Sequence, residues 1–537
     1  MVDSSWNPCV SGVAYSVLID WNGDGAVTGV GDDVTADVLG DGSWTSTYGR
    51  DQSRQLSPSR VGSATWSLCN TSRIYSPENE DSPIVNDLGP ARPVFFDVAF
   101  PTVDHALFRG RIDDFNVHPD RSNLTADFTA LDGLAQLQGV ELSTQVYEGL
   151  RTGQIIRIIL DAVGWPVADR LIDVGASFAR FWWADGKDAF IAVQEIVQAE
   201  GPPSIAYVAP GGTFVFEDRH HRLQDARSLS PQAAFASRLV SCDTPAVTGF
   251  SYTAPFEYET GWRDIVNSVE TVVDERQPDI EVDPVWESDS PFSISSGETV
   301  SIAVTTNEPM TNAITPQLNS DYFHTGPGTV TVVLSRLSGQ TIIIQLTAAG
   351  GASTVTFLRL RARLIPVARM IRVTATDPAS IGTFGERRFP GQIPWATAND
   401  TAAVADVILS HYAQRRPIVK MRVVAQDPDH LEQILGRTIS DRITISNGEL
   451  GLDSDFFIEQ VSHTIRRINP ERPPIHAGVF GCERVRVSPT QNPFTFDKVG
   501  AGFDQGVFGG TAIDDPDLIF IFDDLVQGQF DTGVFAT

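Results

Sequence analysis

The sequence predicts a mainly β protein with an α+β insertion, and three observations predict it. The 44 glycines and 33 prolines are spread along all 537 residues instead of gathering at a few joints. Between them lie short runs of alternating or β-branched residues, each closed by turn residues. Helical periodicity is confined to a few islands. A 42% hydrophobic content with 30 Phe supports packed cores, and at roughly 100–200 residues per domain the length allows about three to five units.

Taken in order, 13–20 reads as a strand running into a glycine-rich turn, with further strands at 34–39, 61–69, 93–100, 105–116 and 124–131. In the run His105-Ala-Leu-Phe-Arg-Gly-Arg-Ile-Asp-Asp-Phe115, Gly110 suits a bulge or tight bend. About six strands in this span suggest a barrel or a sandwich, taken here as a β-barrel domain at 1–137. An α/β module comes next, at 138–222. Its first helix carries Ile155, Ile159 and Ala162 on one face and is closed by Gly164 and Pro166. Its second, about 187–199, carries Phe190, Val193, Ile196 and Val197 and ends at Gly201-Pro202-Pro203. A hairpin turns at Gly211-Gly212.

Residues 223–238 are polar and read as a connector, 278–291 as a linker. Strands near 246–273, a strand at 367–375 and a β stretch at 418–487 frame a second barrel-type domain, 223–284 with 371–487. It includes a helix at about 398–413 whose stripe is Ala402, Ala405, Ile408, Leu409 and Tyr412. The β runs inside 285–370 predict an inserted antiparallel sandwich. From 488 to 537 the chain becomes an acidic, glycine-rich arm. Eight Asp and one Lys fall after residue 490, together with the near-repeat Phe503-Asp-Gln-Gly-Val507-Phe508 and Phe530-Asp-Thr-Gly-Val534-Phe535. A repeated aromatic hexad on a polar strand reads as partner docking through Phe503, Val507, Phe508, Phe530, Val534 and Phe535, or as a loosely ordered tail.

The charge is lopsided, 39 Lys+Arg against 68 Asp+Glu, net −29. Phosphate neutralisation needs clustered Lys/Arg, so sequence-specific nucleic-acid binding is excluded, and an anionic membrane surface is disfavoured. No stretch approaches the roughly 18 apolar residues of a membrane span. The opening Met1-Val-Asp-Ser-Ser5 has no basic or apolar signal character, which predicts cytoplasmic synthesis and exit by lysis or a dedicated apparatus. Cys9, Cys69, Cys242 and Cys482 are too dispersed for a CxxC zinc site or a disulfide framework.

Asp20-Trp-Asn22-Gly-Asp24-Gly matches the first half of a calcium loop, with oxygen ligands at alternating positions. The acidic residue expected at position twelve is Gly31. Asp20, Asn22 and Asp24 are therefore candidate calcium ligands or simply a hairpin turn, and no other cofactor is expected. Hydrolase, P-loop and dinucleotide motifs are missing. His220-His221 is the one histidine pair, and adjacent carboxylates such as Asp113-Asp114 face opposite ways on a strand. No enzyme is predicted. Phe181-Trp182-Trp183 reads as core packing or as a sugar-stacking platform.

Several segments resemble one family. Tyr15-Ser-Val-Leu-Ile-Asp-Trp-Asn-Gly-Asp-Gly25, Gly49-Arg-Asp51, Tyr75-Ser-Pro-Glu-Asn79, Gly89-Pro-Ala-Arg-Pro93 and Leu107-Phe-Arg-Gly-Arg-Ile-Asp-Asp114 resemble minor tail proteins of long-tailed bacteriophages infecting actinobacteria. Tyr147-Glu-Gly-Leu-Arg-Thr-Gly153, Gly164-Trp-Pro166 and Gly212-Thr-Phe-Val-Phe-Glu-Asp-Arg219 look like the hub domain of tail-tip proteins. Asn492-Pro-Phe-Thr-Phe-Asp497 and Gly500-Ala-Gly-Phe-Asp504 are similar to that family's tails. The resemblance spans most of the chain and is weakest over 285–370. It implies tandem β-barrels in a hub at the virion tail tip, commonly a homo-trimer. Such a hub contacts a distal tail protein, the tape measure and other minor tail proteins, joins tube to fibres and gates the DNA channel. The charge adds an expectation of its own: acidic residues lining the lumen of such a ring would repel DNA phosphates and keep DNA from sticking. A host-surface glycan binder is the competing expectation.

Overall fold

The structure, a computed structural model, describes residues 10, 12–39, 43–50, 59–120, 123–237, 249–261, 264–288, 290–466 and 474–485. The protein is mainly β, with an α/β module and additional strands around a closed barrel.

One sheet of 12 strands organises the chain. Its first half runs, in spatial order, Ala14–Ile19, Pro93–Ala99, Asp104–Asp120, Asn123–Asp132, Ser63–Cys69 and Ser43–Gly49. Strand Ser43–Gly49 then pairs with Leu452–Arg466, which opens the second half: Arg442–Asn447, Ala233–Ser237, Phe250–Glu259, Ile418–Val424 and Ile475–Arg484. That last strand returns to Leu452–Arg466 and closes a six-stranded barrel. Strand Leu452–Arg466 is long enough to serve both halves. On one edge its residues 452–457 pair with the barrel neighbour and 460–466 with the N-terminal sheet.

Period-2 alternation explains the strands. Pro93–Ala99 buries Val94, Phe96 and Val98 on one face, and Ser63–Cys69 buries Ala64, Trp66 and Leu68. Trp66 stacks on Phe128 at 5.3 Å and meets Phe96 edge-on at 5.3 Å. The barrel is filled by Phe235, Met421, Ile443, Ile445, Phe456 and Phe480, all fully buried, so it is a packed core and not a pore.

Local readings of the sequence are corrected at several places. Residues 34–39 form the short 3-10 helix Thr35–Asp37, not a strand. Ser43–Gly49, unassigned from sequence, is the strand that meets the barrel. The polar stretch 223–238 is not a mere connector, because its Ala233–Ser237 is a barrel strand with parallel neighbours on both sides. The supposed linker 278–291 contains strand Asp283–Ser288. Along Asp104–Asp120 the register slips beside Phe96/Asp97 and Ile112/Asp114, leaving Leu107 and Asp113 as the extra residues. Gly110 is required for close approach instead. A Cβ there would lie 2.3 Å from the Leu131 carbonyl oxygen. Ala162 and Ala402 are exposed, and their helices bury Ile156 with Leu160 and Val404 with Val407.

In the module, helices Thr152–Ala162 and Ala189–Glu200 pack on the sheet Ile205–Val208, Phe214–Glu217 and Arg170–Ile172. Asp188 caps the second helix by accepting from Ile191 N at 3.0 Å. Strands Ser268–Arg276 and Val367–Thr376 form an antiparallel ribbon, against which helix Ala398–Tyr412 packs. The ribbon's register brings Arg276 opposite Val367, so the chain leaves and re-enters side by side at its tip. Between those points two small sheets, centred on Ser353–Leu364 and Thr341–Ala349, close over Val304, Ile342, Ile344, Leu346, Leu358 and Leu360.

Candidate functional site

The most concentrated chemistry among the described residues lies where the shared strand changes partners. Its register against Ile475–Arg484 shifts between Ile458 and Gln460, which leaves Glu459 at a bulge. Glu459 is 1% exposed. Arg50, just past strand Ser43–Gly49, donates Nε to Glu459 Oε2 at 3.1 Å. Arg222, from the short helix His221–Gln224, brings Nη1 to Glu459 Oε1 at 2.6 Å. Arg50 Nη2 also donates to the carbonyls of Pro203 at 3.0 Å and Ser204 at 2.8 Å. One carboxylate thus joins the N-terminal sheet, the barrel and the α/β module.

A second buried acid extends the network. Arg222 Nε donates to Ser440 Oγ at 3.0 Å, Ser440 donates to Glu217, and Tyr207 OH donates to Glu217 Oε1 at 3.1 Å. Burial pushes the Glu217 carboxyl up. Burial acts on Glu459 in the same sense, but the Arg222 and Arg50 guanidiniums outweigh it and hold that carboxyl below its ordinary value. Burial opposes the charge of Arg222, and Glu459 more than compensates. Such a network is costly unless satisfied, so it locks relative placement more than it adds stability.

Glu200 repeats the arrangement inside the module. Fully buried at the end of its helix, it accepts from Ala176 N at 3.0 Å, Ser177 N at 2.9 Å and Thr152 Oγ1 at 2.5 Å. Near the other end of the shared strand, His463 Nδ1 faces His476 Nε2 at 3.1 Å, and Tyr15 OH meets His476 Nδ1 at 3.3 Å. Burial lowers His463 to about 4 and His476 well below the usual imidazole range, with the neighbouring His463 adding to the latter shift.

The candidate calcium ligands Asp20, Asn22 and Asp24 sit in one closed turn. Asp20 is 1% exposed and accepts from Gly23 N at 2.7 Å and Gly25 N at 2.9 Å. Asp24 Oδ1 accepts from Ala26 N at 2.8 Å, and Asn22 Oδ1 from Asp24 N at 3.1 Å. Their oxygens serve the turn's own amides. No group of three or more His, Cys, Asp or Glu among the described residues is arranged to hold a metal.

His221 pairs with Asp173 at 2.9 Å, and its partner carboxylates raise it against the opposing effect of burial. Trp182 is fully buried in the module, while Phe181 and Trp183 face Ile365 on the strand's other side. Arg276 covers the Trp183 ring at 5.0 Å, and Trp395 meets it edge-on at 5.0 Å. Arg276 thus covers one face of the Trp183 ring, while Trp183 and Phe181 also line a cavity of about 450 Å³ together with Arg180, Glu275, Arg276 and Trp395. Cys69 and Cys482 are free thiols. The hexad residues 503–508 and 530–535 lie outside the described residues, as do Cys9 and Cys242. No helix among the described residues is long and apolar enough to cross a membrane.

No family model matches the chain, and no curated protein matches it. Among solved structures, the chain is similar to the tail protein from Neisseria meningitidis MC58, with TM-score 0.45 and 10% identity, covering 88% of this chain and 96% of that one. It is also similar to the 43 kDa tail protein of prophage MuSo2 from Shewanella oneidensis, with TM-score 0.46, 12% identity, and coverage of 88% and 98%. The E. coli c3393 protein, a component of the type VI secretion system, gives TM-score 0.35 and 8% identity over 86% of this chain and 78% of that one. At such identities the likeness is one of chain course alone.

Proposed function

We propose that the chain is a structural component of a bacteriophage tail, and within it the hub at the tail tip that joins the tube to distal fibres. The order of the tail-protein-like segments along the sequence supports this reading. The observation that carries it is the fusion of two six-stranded halves through strand Leu452–Arg466, with the α/β module locked at the same seam by Glu459, Arg50 and Arg222. Two halves that share one strand, with a module held to both by one buried ion cluster, transmit force as a single body, which suits an assembly part better than an enzyme with a mobile cleft. Because the barrel is filled with side chains, a DNA channel would run between copies, as in a homo-trimeric ring, and not through one chain. Its neighbours would be a distal tail protein, the tape measure and other minor tail proteins. Acidic residues of this chain, whose net charge is −29, would line that channel with like charge and keep DNA moving without binding. Sedimentation of the purified chain at micromolar concentration tests the reading: a stable oligomer is expected, and a strict monomer contradicts it.

A further inference from the structure

The barrel, the module and helix Ala398–Tyr412 leave a pocket of about 190 Å³ between them, and it has two kinds of wall. One is apolar: Val407 and the half-buried Phe457 form its interior, while Leu223 and Leu229 stand at its mouth 36% and 54% exposed. The other is mainly cationic, and its one carboxylate, Glu483, is paired with Arg416 at 3.1 Å. Arg222 lies over the Phe457 ring at 4.8 Å, and its buried Nη2 has no hydrogen-bond partner among the described residues. Arg484, which is exposed, completes the rim with Val485, the last described residue.

The chain beyond Val485 is complementary in sequence to both walls. Residues 486–537 hold eight Asp against Arg486 and Lys498, and the dipeptide Phe-Asp occurs at 496–497, 503–504, 522–523 and 530–531. A ring with a carboxylate beside it is the chemistry that an apolar slot edged by guanidinium N–H groups selects. From Val485 to Phe503 the chain reaches about 60 Å when extended, so returning to a pocket that begins at Val485 needs only a short loop and little closure entropy.

We infer that this pocket binds the chain's own segment 490–508, with Phe496 or Phe503 in the slot and the adjoining Asp497 or Asp504 on Arg222 and Arg484. The inference is independent of whether the chain assembles into a tail.

The test uses the full chain with a photo-crosslinking phenylalanine analogue at 496 or, separately, at 503. Irradiation is expected to give a product of monomer mass whose crosslinked peptide contains Leu223, Leu229 or Val485. The yield should fall at least about fivefold in Leu229→Asp and Arg484→Glu, with the thermal midpoint unchanged. A crosslink elsewhere in the chain, a product of dimer mass, or no crosslink from either position overturns it.

Discussion

Arg50 and Glu459 are tied twice across 409 positions of sequence: the guanidinium meets the carboxylate at 3.1 Å, and Arg50 N donates to the Glu459 carbonyl at 2.8 Å. The second bond is a sheet contact and the first an ion pair, so one residue pair fixes both the register and the charge balance of the seam. The pair also explains why the preceding residue is Gly49, whose φ of 108° and crowding by the Glu459 carbonyl oxygen leave no room for a side chain.

Glu459→Gln leaves Arg50 and Arg222 as uncompensated buried cations. It should lower stability by about 3–5 kcal/mol, read as a fall in the urea midpoint. Replacing all three residues with apolar ones of similar volume should recover most of that loss. If the single change costs under about 1 kcal/mol, the seam does not hold the units together.

Gly49→Ala places a Cβ 2.4 Å from the Glu459 carbonyl oxygen at a positive φ. A loss of more than about 2 kcal/mol is expected. Gly448→Ala is the control, since its Cβ meets nothing within 4 Å and its φ is not positive. The two denaturation curves should separate clearly.

The buried pair His463 and His476 predicts acid sensitivity. His463 titrates at about 4 in the folded chain against 6.5 when unfolded, so its neutral form contributes stability that is complete above 6.5 and lost as pH falls towards 4. His463 alone makes this about 3 kcal/mol. His463→Gln should flatten the decline between pH 7 and 4.5 in chemical denaturation; an unchanged decline would show that the pair does not carry it.

Asp132 acts in the opposite sense over the same window. Burial raises it from 3.8 to about 7 despite hydrogen bonds from Gly62 N and Leu134 N. Stability from its protonated form is complete below 3.8 and lost as pH rises through 7. Wild type minus Asp132→Asn should therefore decline by on the order of a few kcal/mol from pH 4 to 8.

The sequence reveals elements whose signal is local. The alternation of 93–99 and the apolar spacing of Val193, Ile196 and Val197 are written in neighbouring residues, and the structure reproduces them. Ala233–Ser237 is hidden because its barrel neighbours, Arg442–Asn447 and Phe250–Glu259, lie elsewhere in sequence, and Ala-Ala-Phe-Ala-Ser carries little β preference of its own. The seam is illegible for the same reason. Arg50, Arg222 and Glu459 are ordinary charged residues until topology brings them together, and the only local hint is the glycine before Arg50. Phe181-Trp182-Trp183 stands out for the opposite reason, since bulk is visible in sequence and burial is not.

The central proposal, a structural role at a tail tip, is tested most directly by cryo-electron microscopy of intact phage particles with a gold-labelled tag on this chain. Several labels arranged around the tail axis at its distal end are predicted, with density for the fused barrel and sheet in each copy. Particles that carry no label, or carry it only in the head, would contradict the proposal.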